Sequence, residues 1–417
     1  MSSILIIYTA LFLIQFVFSL YLDFLNYRHI QAHSNSAPEY LKGAISDQVY
    51  KNSVQYSLTK IQFSVFSTVI NSSILLALVV SGSFGYLDIW IQQFNFNVYL
   101  QAIFYLLIVS LFFLVIGIPF SLYSTFVIEE RFGFNKTTFK LWCQDQVKSL
   151  ILSSILLSLI VSALVWFLQV AGDLWWIYAF IFITGFQLVM IFIYPIWIAP
   201  LFNKFTPLDD SELKEKIEKV AKGAGYQAES VFVMDGSKRS QHANAYFTGF
   251  GKAKRIVLYD TLINLLSHDQ LLAVLAHEIG HEKLNHIKKS MALSFVIMFF
   301  TFYLIDLLMT SLPFFEAFGF NRVCYHGAFV IFSFASAPVS FWLAPLFSFL
   351  SRKHEYEADS FAVNTMHSKE GLMTALIQLS QKSLSNFTPH PLYSFFHYSH
   401  PTLHERLNAM EALHVAH

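Results

Sequence analysis

Seven long apolar stretches constrain this chain more than any other feature of it: residues 4–22, 61–80, 98–120, 150–170, 174–198, 291–312 and 323–350. Each approaches or exceeds the ~20 residues that a helix needs to cross the hydrocarbon core of a bilayer, where every backbone N–H and C=O must find its partner inside the segment. Composition agrees, since 55% of residues are hydrophobic and only 13% charged, about half the charge of a soluble domain. The second stretch carries Ser64, Ser67, Asn71, Ser72 and Ser73; polar residues in a span usually face a bundle interior or a water-filled cavity, so it counts as a span. No Lys or Arg precedes the first stretch and no small-residue cleavage site follows it, which favours a permanent span over a removable signal peptide. The expected fold class is therefore mainly α, a polytopic membrane protein with about seven transmembrane helices.

Orientation follows from the cations. The connections 23–60, 127–149 and 199–290 and the tail after residue 350 hold 26 of the 27 Lys and Arg residues, and the opposite connections hold only Arg322. Lys and Arg accumulate on the cytoplasmic side of short loops, so the N-terminus is expected outside and the soluble parts inside. Cys143 and Cys324 then fall on opposite sides and cannot pair. The formal net charge is zero, which leaves no basic excess for nucleic acid.

Four units follow: an N-terminal membrane domain of five spans (1–198), a soluble α/β segment (199–290), a transmembrane hairpin (291–350) and a C-terminal soluble segment (351–417). Within the second, residues 209–223 have a charged helical pattern, 230–234 and 255–259 are strand-like, and Asp235-Gly236 marks a turn between them.

The chemistry sits in His277-Glu278-Ile279-Gly280-His281, on a helix whose start is marked by Ser267 and Gln270 in capping-box spacing. Residues i and i+4 share a helix face, so His277 and His281 can hold one zinc ion while Glu278 serves as general base. Gly280 costs a helix about 1 kcal/mol relative to Ala, which suggests a close approach of metal, strand or substrate there. Catalytic zinc keeps three protein ligands and one open position. The metzincin pattern cannot supply the third, because Leu284 and Ile287 stand where its Gly and His would be. His286 points off the ligand face and reads as structural.

Further along, Ser351-Arg352-Lys353-His354-Glu355-Tyr356-Glu357-Ala358-Asp359, taken with His277 to His281, resembles the type I CAAX prenyl endopeptidase family, integral-membrane zinc proteases of the gluzincin kind. The resemblance extends to Glu129-Glu130-Arg131-Phe132-Gly133-Phe134-Asn135-Lys136, Ser237-Lys238-Arg239-Ser240, Asn244-Ala245-Tyr246-Phe247 and Ser399-His400-Pro401. It implies zinc held by His277, His281 and Glu355, with Glu278 as base and Asp359 orienting a ligating imidazole. It further implies His400 as donor to the tetrahedral oxyanion, with Arg406 a supporting cation, and Asn244 and Ala245 on an edge strand that grips the substrate main chain. The substrate class would be a polypeptide at the bilayer, prenylated at its C-terminus in the family's named chemistry. The fold class gains a cytosolic α/β gluzincin domain assembled from separate chain segments.

If residues 351–363 are helical, Glu355 and Asp359 share a face, while Glu357 is rotated about 200° from Glu355 and belongs to another surface. His354 is the chemical rival for the third ligand position. The chain's last residues, Leu413 to His417, contain no endoplasmic-reticulum retrieval signal, so a bacterial inner membrane with a cytoplasmic active site is expected, the endoplasmic reticulum being the alternative. Other functions weighed are a membrane quality-control protease of the heat-shock type and a transporter with a structural zinc.

Overall fold

The structure is a computed structural model that describes residues 2–226, 230–248 and 255–414. The first half is helical: α1 (Ser3–Ala32), α2 (Asp47–Val80), a short α3 (Ser83–Gln92), α4 (Val98–Tyr123), α5 (Phe139–Val170) and α6 (Trp175–Ile193). Side-chain caps set several starts, Ser46 accepting from Val49 N, Asn97 from Leu100 N and Thr138 from Leu141 N. Both α4 and α6 run on through π-helical turns, Ser124–Glu129 and Tyr194–Ile198, at their C-terminal ends. The apolar windows of these helices are only 6–17% buried, so most of their apolar surface faces outward or into open space between helices. Their shared core lies at the end away from these π-helical turns, where Tyr8, Phe12, Phe84, Tyr105, Trp175 and Phe334 pack together.

The soluble half begins with β1 (Phe205–Pro207), α7 (Ser211–Gly223), β2 (Ser230–Met234), β3 (Ala245–Thr248) and β4 (Arg255–Tyr259), then a short α8 (Asp260–Ile263) and α9 (His268–Lys283). The sheet order is β1-β2-β4-β3; β2 and β4 are parallel, and β3 pairs antiparallel with β4 at one edge. Leu213 and Ile217 of α7, Val231, Ile256 and Leu258 of the sheet, and Leu271, Leu275 and Ile279 of α9 form one apolar core. The expected helix and both expected strands are present, and β1 joins them unannounced by any apolar alternation.

The chain returns to the membrane as α10 (His286–Met309), a short α11 (Leu312–Ala317), α12 (Tyr325–Ala335) and α13 (Ala337–Met366), and closes with α14 (Glu370–Lys382), α15 (Pro391–His397) and α16 (Leu403–Glu411). By length and apolarity six helices qualify as spans, and α12 with α13 makes a seventh, bent by 51°. Pro338 opens α13 and has no N–H to give, which suits a break there. The second stretch is a single 34-residue helix despite its serines. Helix α13 then continues past an internal Pro345 to Met366, carrying Glu355 beyond the apolar run.

Candidate active site

Helix α9 is placed by its cap and its apolar face. Ser267 and Gln270 form the capping box, and Leu271, Leu272, Leu275, Ala276 and Ile279 are buried. This leaves His277, Glu278 and His281 facing α13. Gly280 explains how the two helices meet: a Cβ there would lie 3.2 Å from Ala358 Cα and 3.2 Å from the Phe361 side chain. The close approach suggested by Gly280 is thus to a helix, not to metal, strand or substrate.

Across that contact, His277 and His281 turn their Nε2 atoms toward each other at 3.2 Å. Glu355 stands 3.2 Å from His281 Nε2 and 3.6 Å from His277 Nε2, and is 4% exposed. His277 Nδ1 lies 2.8 Å from Asp359. A carboxylate can only accept, and it is closer than the Arg406 nitrogen at 3.4 Å, so in the neutral ring Nδ1 carries the proton and Nε2 offers a lone pair beside Glu355. Two imidazole nitrogens and a carboxylate converging on one point are what a metal cation requires, and this set leaves coordination positions open. Arg406, starting from a second capping box at Thr402 and Glu405, holds Asp359 by two hydrogen bonds of 2.9 and 2.5 Å, with its third nitrogen 3.6 Å from Glu355. Burial raises the Glu278 carboxyl above its usual range, against the pull of the two histidines.

His400 Nδ1 lies 3.0 Å from Glu355, and its hydrogen bond to that carboxylate raises its pKa. It is not a helix-start residue, because α16 begins at Leu403 with Thr402 as its cap. His354 sits outside the converging group and stacks on His286, rings 4.1 Å apart and 9° from parallel. Glu357 does leave the Glu355 face, as its rotation requires, but His286 comes round to meet it at 2.9 Å and also lies 3.1 Å from His281. Sequence reasoning set both aside; the one available signal was Asn285-His286 directly after the zinc-helix motif.

A cavity of about 570 Å3 opens beside the site, with Tyr246 and Phe247 of β3 on one wall and Glu278, His281 and Glu355 on the other. Ala245 and the preceding Asn244 lie at the start of the edge strand, where Asn244 C=O accepts from Tyr259 N, but neither lines the cavity. The sheet is fastened to the membrane half through two of the other motifs. Asn135 and Ser240 form a bridge, Arg239 forks onto Asp145 at 2.8 and 3.0 Å, and Phe134 stacks on His242 at 4.3 Å. These partners, far apart in sequence, were not foreseen.

A second group, Asp88, Cys324 and His326, also brings three ligand-type atoms together. It fits a cation poorly, because Arg322, Gln92 and His326 already surround both oxygens of Asp88.

Known proteins agree with this geometry. Residues 26–204 match the family described as CAAX prenyl protease N-terminal, five membrane helices, and residues 207–414 match peptidase family M48. A CAAX prenyl protease 1 homolog of Oryza sativa subsp. japonica is 39% identical, covering 96% of this chain and 95% of its own. CAAX prenyl protease 1 of Saccharomyces cerevisiae is 37% identical over 95% of this chain and 93% of its own. The crystal structure of S. mikatae Ste24p superimposes with a TM-score of 0.93 at 36% identity, covering 99% of this chain and 100% of that one. With an M48 metallopeptidase half built onto a membrane half of the same kind, the chain belongs to the CAAX prenyl protease family.

Proposed function

We propose that this metallopeptidase is a zinc endopeptidase that cleaves membrane-associated polypeptides, with His277, His281 and Glu355 as its metal ligands and Glu278 as its base. The observation that carries the reading is the convergence of two Nε2 lone pairs and one carboxylate beside Glu278, next to a cavity walled by an edge strand. Zinc supplies Lewis acidity for the scissile carbonyl and for water. Glu278 accepts the proton from the attacking water and delivers it to the departing amine; its raised pKa makes it a better acid for the second step. An extended peptide adds to β3 through its main chain, which binds it with little side-chain demand. His400, exposed and beside Glu355, donates to the oxyanion as charge develops. Arg406 is better placed to hold Asp359 than to touch substrate, since two of its nitrogens are bound there.

The substrate is a polypeptide carrying a prenylated C-terminus, the chemistry for which the relatives are named. The cation asymmetry puts the site on the cytoplasmic face. That orientation suits the bacterial inner membrane expected from sequence and equally the endoplasmic reticulum, which the eukaryotic sources of the relatives favour. Fractionation of the source cell distinguishes them. The functional test is metal analysis of the purified chain with cleavage of a farnesylated CAAX peptide beside its unprenylated twin. Wild type and Glu278→Gln should each bind one zinc, with hydrolysis in the variant down by ~10²–10⁴. Metal-free active wild type, or a fully active Glu278→Gln, refutes the mechanism; equal cleavage of both peptides refutes the prenyl preference.

A further inference from the structure

The two histidines of the metal centre have unlike outer partners. His277 meets its carboxylate, Asp359, directly at 2.8 Å. His281 has no carboxylate on its Nδ1; that atom lies 3.1 Å from Nδ1 of His286, whose Nε2 lies 2.9 Å from Glu357. We propose that His286 and Glu357 are a positioning pair that holds His281 as a metal ligand, a carboxylate acting through an intervening imidazole. The inference rests on the zinc site proposed above and deepens it.

With His286 neutral, proton placement along the row is fixed. Glu357 accepts, so His286 Nε2 donates to it; a neutral imidazole then offers a lone pair at Nδ1, and His281 Nδ1–H donates to that lone pair. His281 is left with Nε2 unprotonated and aimed at His277 and Glu355, the form a metal needs. The backbone builds this row deliberately. Asn285 takes a left-handed conformation, φ 57°, between α9 and α10, and the turn throws His286 back against the helix it has just left. His286 is 3% exposed, pinned by the stacked ring of His354 on one face. Its partner comes from α13, which thereby provides Glu355 for the metal, Asp359 for one histidine and Glu357 for the other. Glu357 lies on a different side of α13 from Glu355, and only the reach of the His286 imidazole connects it to the centre.

The experiment measures zinc affinity of the full-length purified chain by competition with a chelator, together with the visible spectrum of the cobalt-substituted protein and the unfolding temperature in chelator. Loss of an outer partner typically lowers metal affinity by ~10- to 100-fold. Glu357→Ala and His286→Ala should each fall in that range with a shifted cobalt spectrum, and the double variant should be no weaker than His286→Ala, because the pair acts as one arm. Glu357→Gln keeps an acceptor for His286 and should retain near wild-type affinity. If His286→Ala does not fold, the two Glu357 variants carry the comparison. Wild-type affinity and cobalt spectrum in Glu357→Ala overturn the proposal, as does additivity in the double variant. Glu355→Ala serves as the reference: if it too binds zinc normally, the metal site itself is wrong, whereas zinc lost there and kept in Glu357→Ala removes the relay alone.

Discussion

Replacing Gly280 by Ala should loosen the metal while leaving the fold nearly as stable as before. The added methyl would sit 3.2 Å from Ala358 Cα and from the Phe361 side chain, and one of these neighbours is backbone that no rotamer change can move. Carbon atoms prefer about 3.5–4.0 Å, so α13 must retreat by a few tenths of an ångström. Glu355 is one turn from Ala358 on that helix and retreats with it. Metal–ligand distances fall within about ±0.2 Å, so the carboxylate is carried out of register, and zinc affinity should drop by on the order of 10-fold, as when a ligand loses its positioning partner. Overpacking costs about 1–3 kcal/mol, but Ala in place of a mid-helix Gly returns about 1 kcal/mol, for a net loss of about 0–2 kcal/mol. Chelator competition for zinc and thermal unfolding in chelator separate the two effects. Wild-type zinc affinity at an unchanged unfolding temperature would refute the claim that this glycine sets the ligand distance.

Three further outcomes are expected. Glu355→Ala should lose most zinc, Asp359→Ala should bind it ~10- to 100-fold more weakly, and His354→Ala should bind it normally; metal analysis showing zinc lost with His354 and kept without Glu355 reverses the ligand assignment. Reporter fusions after Val170 and after Leu350 should report opposite sides of the membrane, and identical sides break the seven-span topology. Arg239→Ala should cost about 1–3 kcal/mol, toward the low side because its pair with Asp145 is partly solvated. It should raise KM more than it lowers kcat, since it frees the sheet that carries β3; Arg239→Lys should not rescue, as an ammonium cannot span both oxygens of Asp145. An unchanged KM in Arg239→Ala rules out that clamp.

What could be read in advance was what is local. The apolar stretches were long enough to stand out against any loop, β2 and β4 emerged as short strand-like runs before and after a turn, and the i, i+4 spacing of His277 and His281 is a property of one helix. Boundaries were harder. Helix α1 continues to Ala32 and α2 starts at Asp47, and their polar extensions lack the apolarity that betrays a span. The break between α12 and α13 was hidden within one apolar run. Among pairings across long distances only those carried by the family resemblance, Glu355 and Asp359 with the histidines, were foreseen; nothing about Glu129 predicts that Tyr56 donates to it or that His242 lies 3.4 Å away. His286 was passed over because helical geometry continued from His281 points it elsewhere, and only the left-handed Asn285 reverses that geometry.

The course of α13 makes the centre a candidate indicator of its surroundings. Glu355 stands 18 residues along the helix from Ala337, a lever arm of about 27 Å at 1.5 Å per residue. One degree of tilt about the bend, if carried in full past Pro345, moves the carboxylate by about 0.5 Å, more than the ±0.2 Å within which metal–ligand distances fall. Spanning helices answer a thicker or thinner bilayer by changing tilt. Zinc affinity measured in bilayers of differing chain length should therefore change if tilt is carried along α13 to Glu355, and should stay constant if Pro345 absorbs it.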